Sequence, residues 1–542
     1  MDLGQAQFSC VRTNQLPSIG NRQTESDITT WLWRSPGTFI RSLISATGFI
    51  AFVIIPSKLR TGRPSMNKNQ IPEELSAILR ETPELAKAYL VGGCVRDALL
   101  GASQKDFDIE VFGVTYEDLA RALSRWGRTD LVGRSYGVVK LTTGSGQDFD
   151  FTIPRRDSKI APGHKGFEIS FDQNITPREA AERRDFTINA LMFDPRTGQV
   201  LDFVGGEADL QNRILRHVSA AFSEDPLRVL RGMQFAARFG LTAAPETIAM
   251  CRQIKSGYGE LAVERVREEW FKWAAKSVIP SAGLRFLADS EWIEHSPEIL
   301  ALRGTPQDPE WHPEGDVFVH TCHCCDALAT LAEWQEADVE TRIVMMFAVL
   351  AHDFAKPMTT HKTEKDGKMR VVSPGHEEAG GPLALQFLER INAPIAIRER
   401  VLPLVTNHLA HLQTLNDRAV RRLARRLSPE TIEHLCVVIT ADQYGRPPKP
   451  RVISDSVIAL QKSAENLKLQ AAAPKPILMG RHLIALGLTP GAGFSPLLAA
   501  AFDAQIEGAF HDLNGGLEWL SAQPGLDLPR EAFARAREIL NL

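Results

Sequence analysis

Cysteine is scarce in this chain: seven in 542 residues, without regular pairing, which argues against a disulfide framework and for a reducing, cytoplasmic setting. Charge of one sign is lacking too. Sixty-two Lys and Arg stand against 66 Asp and Glu, a net −4 that excludes a strongly basic or acidic chain. The average hides two basic segments: residues 211–285 hold twelve Lys/Arg against seven Asp/Glu, and residues 390–462 hold twelve against six. A run long enough for a membrane helix, about 20 apolar residues, is not evident. The apolar stretch from Leu43 to Ile55 is shorter, ends at Pro56, and lies too late for a secretory signal without a small-residue cleavage site. Apart from that stretch no membrane association is expected. With 44% hydrophobic residues the chain has ample material for globular cores, and its length predicts about two to four domains.

The first 65 residues differ from the rest, with seven Lys/Arg against three Asp/Glu and much Ser, Thr, Gly and Pro; they read as a disordered extension or a mis-called start. From Ile71 onward come a helix, the strand "AYLVGG", and the helical "CVRDALLG". A strand that runs through Gly92 and Gly93 into a helix brings backbone N–H groups up to an anion, with Arg96 and Asp97 on that helix. Next, "KDFDIEV" alternates with period two. Asp106 and Asp108 would share one face of a strand while Phe107, Ile109 and Val111 pack on the other. Crowded carboxylates call for a cation, and oxygen ligands beside phosphate suit Mg²⁺. In "QDFDFTIPRR", Asp148 and Asp150 again share a face, so either could complete a three-carboxylate site.

"LVGGCVRDALLG…KDFDIEVFG", "ERRDFTINAL", "DFVGGEADLQNRILRHV" and "EDPLRVLRGMQFAARFG" resemble, in order and spacing, the class II tRNA nucleotidyltransferase and bacterial poly(A) polymerase family, over about residues 88–285. The resemblance implies that Asp106 and Asp108 hold two Mg²⁺ ions, with Asp150 at a third acidic position. It also implies that Gly92, Gly93 and Arg96 lie against the triphosphate and that Arg183, Arg184, Asp185 and Asn189 serve ribose and phosphate. Asp225 and Arg228, three apart, read as neighbours on a helix. A carboxylate beside a guanidinium matches the amino donor and ring-nitrogen acceptor shared by cytosine and adenine, and clashes with uracil and guanine. The family assigns this pair, with Arg231 one turn on, the role of an amino-acid template for C and A. The plainer readings are an internal ion pair for Arg183 and Asp185, and a surface salt bridge for Asp225 and Arg228.

Further on, "HTCHCC" (320–325) invites a zinc reading. On a helix, however, Cys322, Cys324 and Cys325 point in different directions, and the expectation is three buried, packing cysteines. His320, "LAHDFAKP" with His352 and Asp353, His376, His408 and Asp442 follow an order that resembles the HD phosphohydrolase superfamily. That implies one divalent metal held by His320, His352, Asp353 and Asp442, of a kind suited to imidazole and carboxylate. In "NDRAVRRLARRLS", Arg418, Arg421, Arg422, Arg425 and Arg426 fall at helical spacing on one face, capped by Asn416 or Asp417. The stripe is either a partner for acidic neighbours or a grip on RNA phosphates.

The resulting expectation is an α+β chain: an atypical 1–65; a nucleotidyltransferase head of polymerase-beta-like fold at 66–210, with a mixed β-sheet; a helical neck at 211–300 that reads the base; an HD domain at 301–460; and a helical tail at 461–542. The expected function is addition of C and A to the 3′ end of tRNA from CTP and ATP, with no stable protein partner. The alternatives are a poly(A) or A-only enzyme and an HD phosphohydrolase with a vestigial head. Ser135 in "LVGRSYGVVKL", where bacterial poly(A) polymerases carry a second basic residue, favours tRNA-end addition.

Overall fold

The computed structural model describes residues 70–542, except 103–105, 131–136, 160–166, 173, 366, 415, 473, 525, 527 and 541–542, together with three strands before residue 56. It separates into two units, residues 1–65 and 66–542. In the first, β1 (Trp31–Ser35), β2 (Thr38–Ile44) and β3 (Ile50–Ile55) form an antiparallel meander. The two ends of the apolar stretch that raised the membrane question, Leu43–Ile44 and Ile50–Ile55, lie on β2 and β3, and among the described residues no helix is long and apolar enough to cross a membrane. The rest of the 1–65 segment falls outside the described residues, as does Ser135.

The second unit begins with a mixed sheet. Its strands are β4 (Ala88–Val91), β5 (Asp108–Val111), β6 (Gly127–Asp130), β7 (Val138–Thr143) and β8 (Asp148–Thr152), with β11 (Met192–Asp194) and β12 (Gln199–Leu201) after the separate ribbon β9 (Arg155–Lys159) and β10 (Phe167–Phe171). The order is β12-β11-β4-β5-β8-β7-β6, and β5 and β8 run parallel while every other pair is antiparallel. The alternation in "DFDIEV" explains the packing: Phe107, Ile109 and Val111 are buried in the main core, while Asp106 and Asp108 on the opposite face are exposed.

The neck consists of helices Leu227–Phe239, Pro245–Gln253, Val263–Lys276 and Pro280–Asp289. It joins the next domain through aromatic packing. Trp270 meets Phe387 edge-on at 5.2 Å and Trp273 lies 6.4 Å from Phe347, all four fully buried. Side chains of this size contribute about 1.5–3 kcal/mol each by leaving water, so neck and HD region share one continuous core. Among the described residues eight α-helices from Val317 to Tyr444 build that region, interrupted by a hairpin, His361–Lys365 with Lys368–Val372, that periodicity had not disclosed because its strands are mostly polar and exposed. Helix Asp455–Asn466 spans the expected 460/461 junction and buries Val457, Leu460 and Ala464 in the main core. A separate small core, including Leu478, Leu483, Phe510 and Leu517, organises the tail.

Candidate functional site

Parallel pairing of β5 with β8 places Asp108 directly across from Asp150, with Ile109 opposite Phe151 holding the register from the core side. Asp106 precedes the strand, which starts at Asp108, so the two expected strand partners are in fact one loop residue and one strand residue. Both are exposed. Partial desolvation raises the Asp108 carboxyl's pKa; Arg184 works against that, and the charges of Asp150 and Asp106 add to it. Asp148 is engaged elsewhere, in an ion pair with Lys140 at 2.8 Å and a bond from the Thr142 hydroxyl at 2.7 Å, which leaves Asp150 as the third carboxylate of the cleft. Asp106, Asp108 and Asp150 offer carboxylate oxygens only. Their all-oxygen donor set suits a hard cation.

Glu110, two residues beyond Asp108 on the same face, went unnoticed in the sequence. It is 9% exposed and accepts from Arg184 at 3.0 Å, tying "ERRDF" to the carboxylate strand; the i+2 spacing was the available signal. Gly92, at φ +69°, makes the turn from β4 into the short helix Gly93–Leu99, and a Cβ there would meet the Arg184 guanidinium at 3.2 Å. Arg96, expected against the triphosphate, is 3% exposed. Its guanidinium donates to Asp97 at 2.8 Å and to the Asn189 side-chain oxygen, and stacks 4.3 Å over Phe239. Asp185 accepts from the Phe186 amide (2.8 Å), Asn189 (3.0 Å) and Arg231 (2.7 Å). Its internal partner is therefore Arg231 rather than Arg183, which pairs with Glu224 at 3.3 Å.

The template pair is arranged differently from the helix-neighbour reading. Asp225 lies outside the helix in extended backbone, because Pro226 caps a helix that starts at Leu227. Its carboxylate accepts from Arg265 at 2.8 Å and from the Leu227 amide at 3.1 Å. Arg228 donates to the carbonyls of Ala221 (2.6 Å) and Arg183 (2.9 Å). The two form no surface salt bridge with each other; each is braced separately, with side chains only part-buried at the head–neck junction.

The second centre lies among the later helices, and the structure brings together all four residues that the order of motifs had picked. Oδ2 of Asp353 lies 3.2 Å from His352 Nε2 and 3.7 Å from His320 Nε2, while Oδ1 lies 3.2 Å from His376 Nε2. Asp442 is 3.0 Å from His320 Nε2, and His408 Nε2 is 3.2 Å from His376 Nε2. His352, His376 and His408 each place Nδ1 at 2.6–2.7 Å from the backbone carbonyl three residues earlier, which fixes the Nδ1–H tautomer and leaves Nε2 facing the cluster. Burial and the facing imidazoles push His408 down to about 3, so its ring is neutral. The Asp353 carboxyl is held well below the usual carboxylate range: burial opposes ionisation, but His352, Lys356 and His376 outweigh it.

Glu314 reaches His320 Nδ1 at 2.7 Å and His312 Nδ1 at 2.9 Å, a carboxylate–histidine contact that sequence spacing alone does not announce. Lys356 contacts Asp353 and Arg446 contacts Asp442, both at 2.8 Å, so the cluster has a basic border. His352 Nε2 is buried without a hydrogen-bond partner and faces the Asp353 carboxylate at 3.2 Å, which also meets His376 and the Lys356 ammonium. An imidazole lone pair buried against a carboxylate is costly unless a cation lies between them, and imidazoles with carboxylates fit a divalent transition metal. The residues present therefore fit such an ion.

The arginine stripe forms helix Asp417–Leu427, capped by Asn416, with Val420, Leu423, Ala424 and Leu427 inward. Its outer face meets the tail helix Phe494–Glu507: Arg418 and Arg422 pair with Glu507, Arg425 with Asp503, and Arg421 donates to the Ile506 carbonyl at 3.1 Å. The acidic neighbours that the stripe called for lie in the chain itself.

Residues 88–216 match the Poly A polymerase head domain and residues 318–444 match the HD domain. A Multifunctional CCA protein of Xylella fastidiosa is 37% identical over 373 residues, which is 66% of this chain and 84% of its own length. Another, of Xanthomonas oryzae pv. oryzae, is 36% identical over 415 residues, 74% and 94% of the respective chains. The solved structure of the Bacillus stearothermophilus CCA-adding enzyme in complex with CTP shares the fold, with a TM-score of 0.54 at 19% identity over 86% of this chain and 97% of that one.

Proposed function

The chain belongs to the family of the multifunctional CCA proteins, and on that premise we propose that it adds C and A, without a nucleic-acid template, to the 3′ end of tRNA, using CTP and ATP. The observation that carries the reading is a continuous path of contacts. It runs from the carboxylate strand through Glu110 and Arg184 to the neighbouring Arg183, whose carbonyl holds Arg228, beside Asp225 at the head–neck junction. Reaction centre and base reader are thereby braced by the same short segment.

Asp106, Asp108 and Asp150 are the residues that would hold Mg²⁺. Bound there, it would supply Lewis acidity toward the RNA 3′-hydroxyl and offset the charge of the triphosphate. Arg183 and Arg184 bind ribose and phosphate oxygens at the mouth opened by Gly92 and Gly93. Arg96 acts from beneath by fixing Asn189, and Asp185 with Arg231 holds that layer still. Arg228, held by two carbonyls, aims a guanidinium N–H at the ring nitrogen of C or A, while the Asp225 carboxylate accepts from the exocyclic amine. Uracil and guanine reverse both partners and leave a charge unpaired.

The HD centre adds a second activity, hydrolysis of a phosphate ester. Asp353 bridges two sets of donors, His320, His352 and Asp442 on one side and His376 and His408 on the other, and Lys356 and Arg446 draw the phosphate in. Divalent ions held there supply Lewis acidity toward the ester. The deciding experiment presents purified protein with tRNA lacking its 3′ end and each labelled nucleotide. Ordered gain of C, C and A is the expected result; A alone or a long A tract overturns it, and phosphate release without addition leaves only the HD activity.

A further inference from the structure

The three cysteines of "HTCHCC" do not share one fate. Cys322, Cys324 and Cys325 are all buried in the main core on helix Val317–Leu328, but Cys324 lies one helical turn after His320, with Sγ 3.3 Å from His320 Nε2. The ligand atoms of His320, Cys324, His352 and Asp442 all lie within 4.8 Å of one another, and all four residues are buried. We propose that Cys324 is a metal ligand, its thiolate completing with His320, His352 and Asp442 a four-donor centre for zinc or another thiophilic transition-metal ion.

Four features of the structure carry this. Donors around one tetrahedral ion, at about 2.0–2.3 Å from it, sit about 3.3–3.8 Å apart, which the Sγ to Nε2 distance matches and the 4.8 Å envelope permits with small side-chain adjustment. Spacing of four residues on a helix presents two ligands on one face, so His320 and Cys324 need no loop to bring them together. Independently of the thiol, the buried lone pair of His352 Nε2 has no hydrogen-bond partner and faces the Asp353 carboxylate at 3.2 Å. Gly445 adds a steric reason: a Cβ there would collide with Cys324, so only glycine lets this backbone close over the thiol while its carbonyl lies 3.3 Å from His320 Nδ1.

The consequence is one of selectivity. A thiolate among imidazoles and a carboxylate shifts preference from Mg²⁺ and Mn²⁺ toward Zn²⁺, Co²⁺ and Ni²⁺. Binding replaces the S–H bond with an S–metal bond and releases the proton to solvent, so uptake at this centre carries one proton more than histidine and carboxylate ligation requires.

The inference rests on reading the HD centre as a metal site, and the experiment separates the two. Full-length metal-stripped protein is titrated with Co²⁺ and followed by absorption. The wild type is expected to show a near-ultraviolet thiolate-to-cobalt charge-transfer band together with visible ligand-field bands. Cys324→Ser should lose the charge-transfer band, keep the visible bands, release one proton fewer, and bind Zn²⁺ at least about 10-fold more weakly. Cys322→Ser should behave as wild type. Visible bands without charge transfer in the wild type overturn the cysteine ligand and leave the metal site standing, whereas the absence of both overturns the site as well. If Cys324→Ser does not fold, the wild-type spectrum and its loss in His352→Ala decide the matter.

Discussion

Replacing Arg228 by alanine should cost nucleotide choice more than speed. Its guanidinium is held by the carbonyls of Ala221 at 2.6 Å and Arg183 at 2.9 Å, so its remaining N–H donors are presented in one orientation. A hydrogen bond to a charged group is worth about 1.5–3 kcal/mol, and a mismatched base that leaves the charge unpaired forfeits that amount. At about 1.4 kcal/mol per tenfold, discrimination of CTP over UTP, and of ATP over GTP, should fall by about 10- to 150-fold in Arg228→Ala. The two anchoring bonds are also lost, so an overall slowing accompanies the change, and circular dichroism should first show the fold retained. The assay is single-turnover incorporation of each nucleotide onto tRNA ending one position short. A uniformly lower rate with unchanged ratios would refute the reasoning and make Arg228 a brace between helix and loop.

Asp108→Asn should lower addition by at least about 100-fold while tRNA binding persists, since a lost ion ligand costs several kcal/mol of transition-state stabilisation; retention above about one per cent speaks against the carboxylate assignment. Asp353→Asn should abolish phosphate-ester hydrolysis and spare addition, because the ligand sets are separate, and loss of both in a folded protein would mean the centres are coupled. Reversing Arg418 and Arg422 to Glu puts like charges against Glu507 and should loosen the tail, seen as faster proteolysis between residues 467 and 476; unchanged cleavage shows the tail held by other contacts. Asp185 is titrated below its ordinary range: burial opposes this, but Arg231, Asn189 and the Phe186 amide prevail. The stability it lends is therefore full above the usual carboxylate range and lost as pH falls through its lowered value, so Asp185→Asn should flatten the acid limb of a urea-midpoint profile against pH.

Much of this was written locally in the chain. The period-two run from Phe107 to Val111 determined which face of β5 enters the core, and the order of His320, His352–Asp353 and Asp442 identified a centre whose members meet within a few ångström. Local patterns fix such features because strand alternation and helix periodicity act between residues a few positions apart. What they leave open are partners distant in sequence. Asp185 takes Arg231 rather than Arg183, the arginine stripe is answered by Glu507 and Asp503, and Asp225 and Arg228 turn to Arg265 and to two carbonyls instead of to each other. Likewise, of three cysteines buried in the same core, Cys324 brings its thiol to 3.3 Å from an imidazole. Composition and spacing decide which side chains need a partner; only the tertiary fold decides which partner arrives, because burial makes each unpaired charge costly and the packing of remote helices settles which groups are near enough to satisfy it.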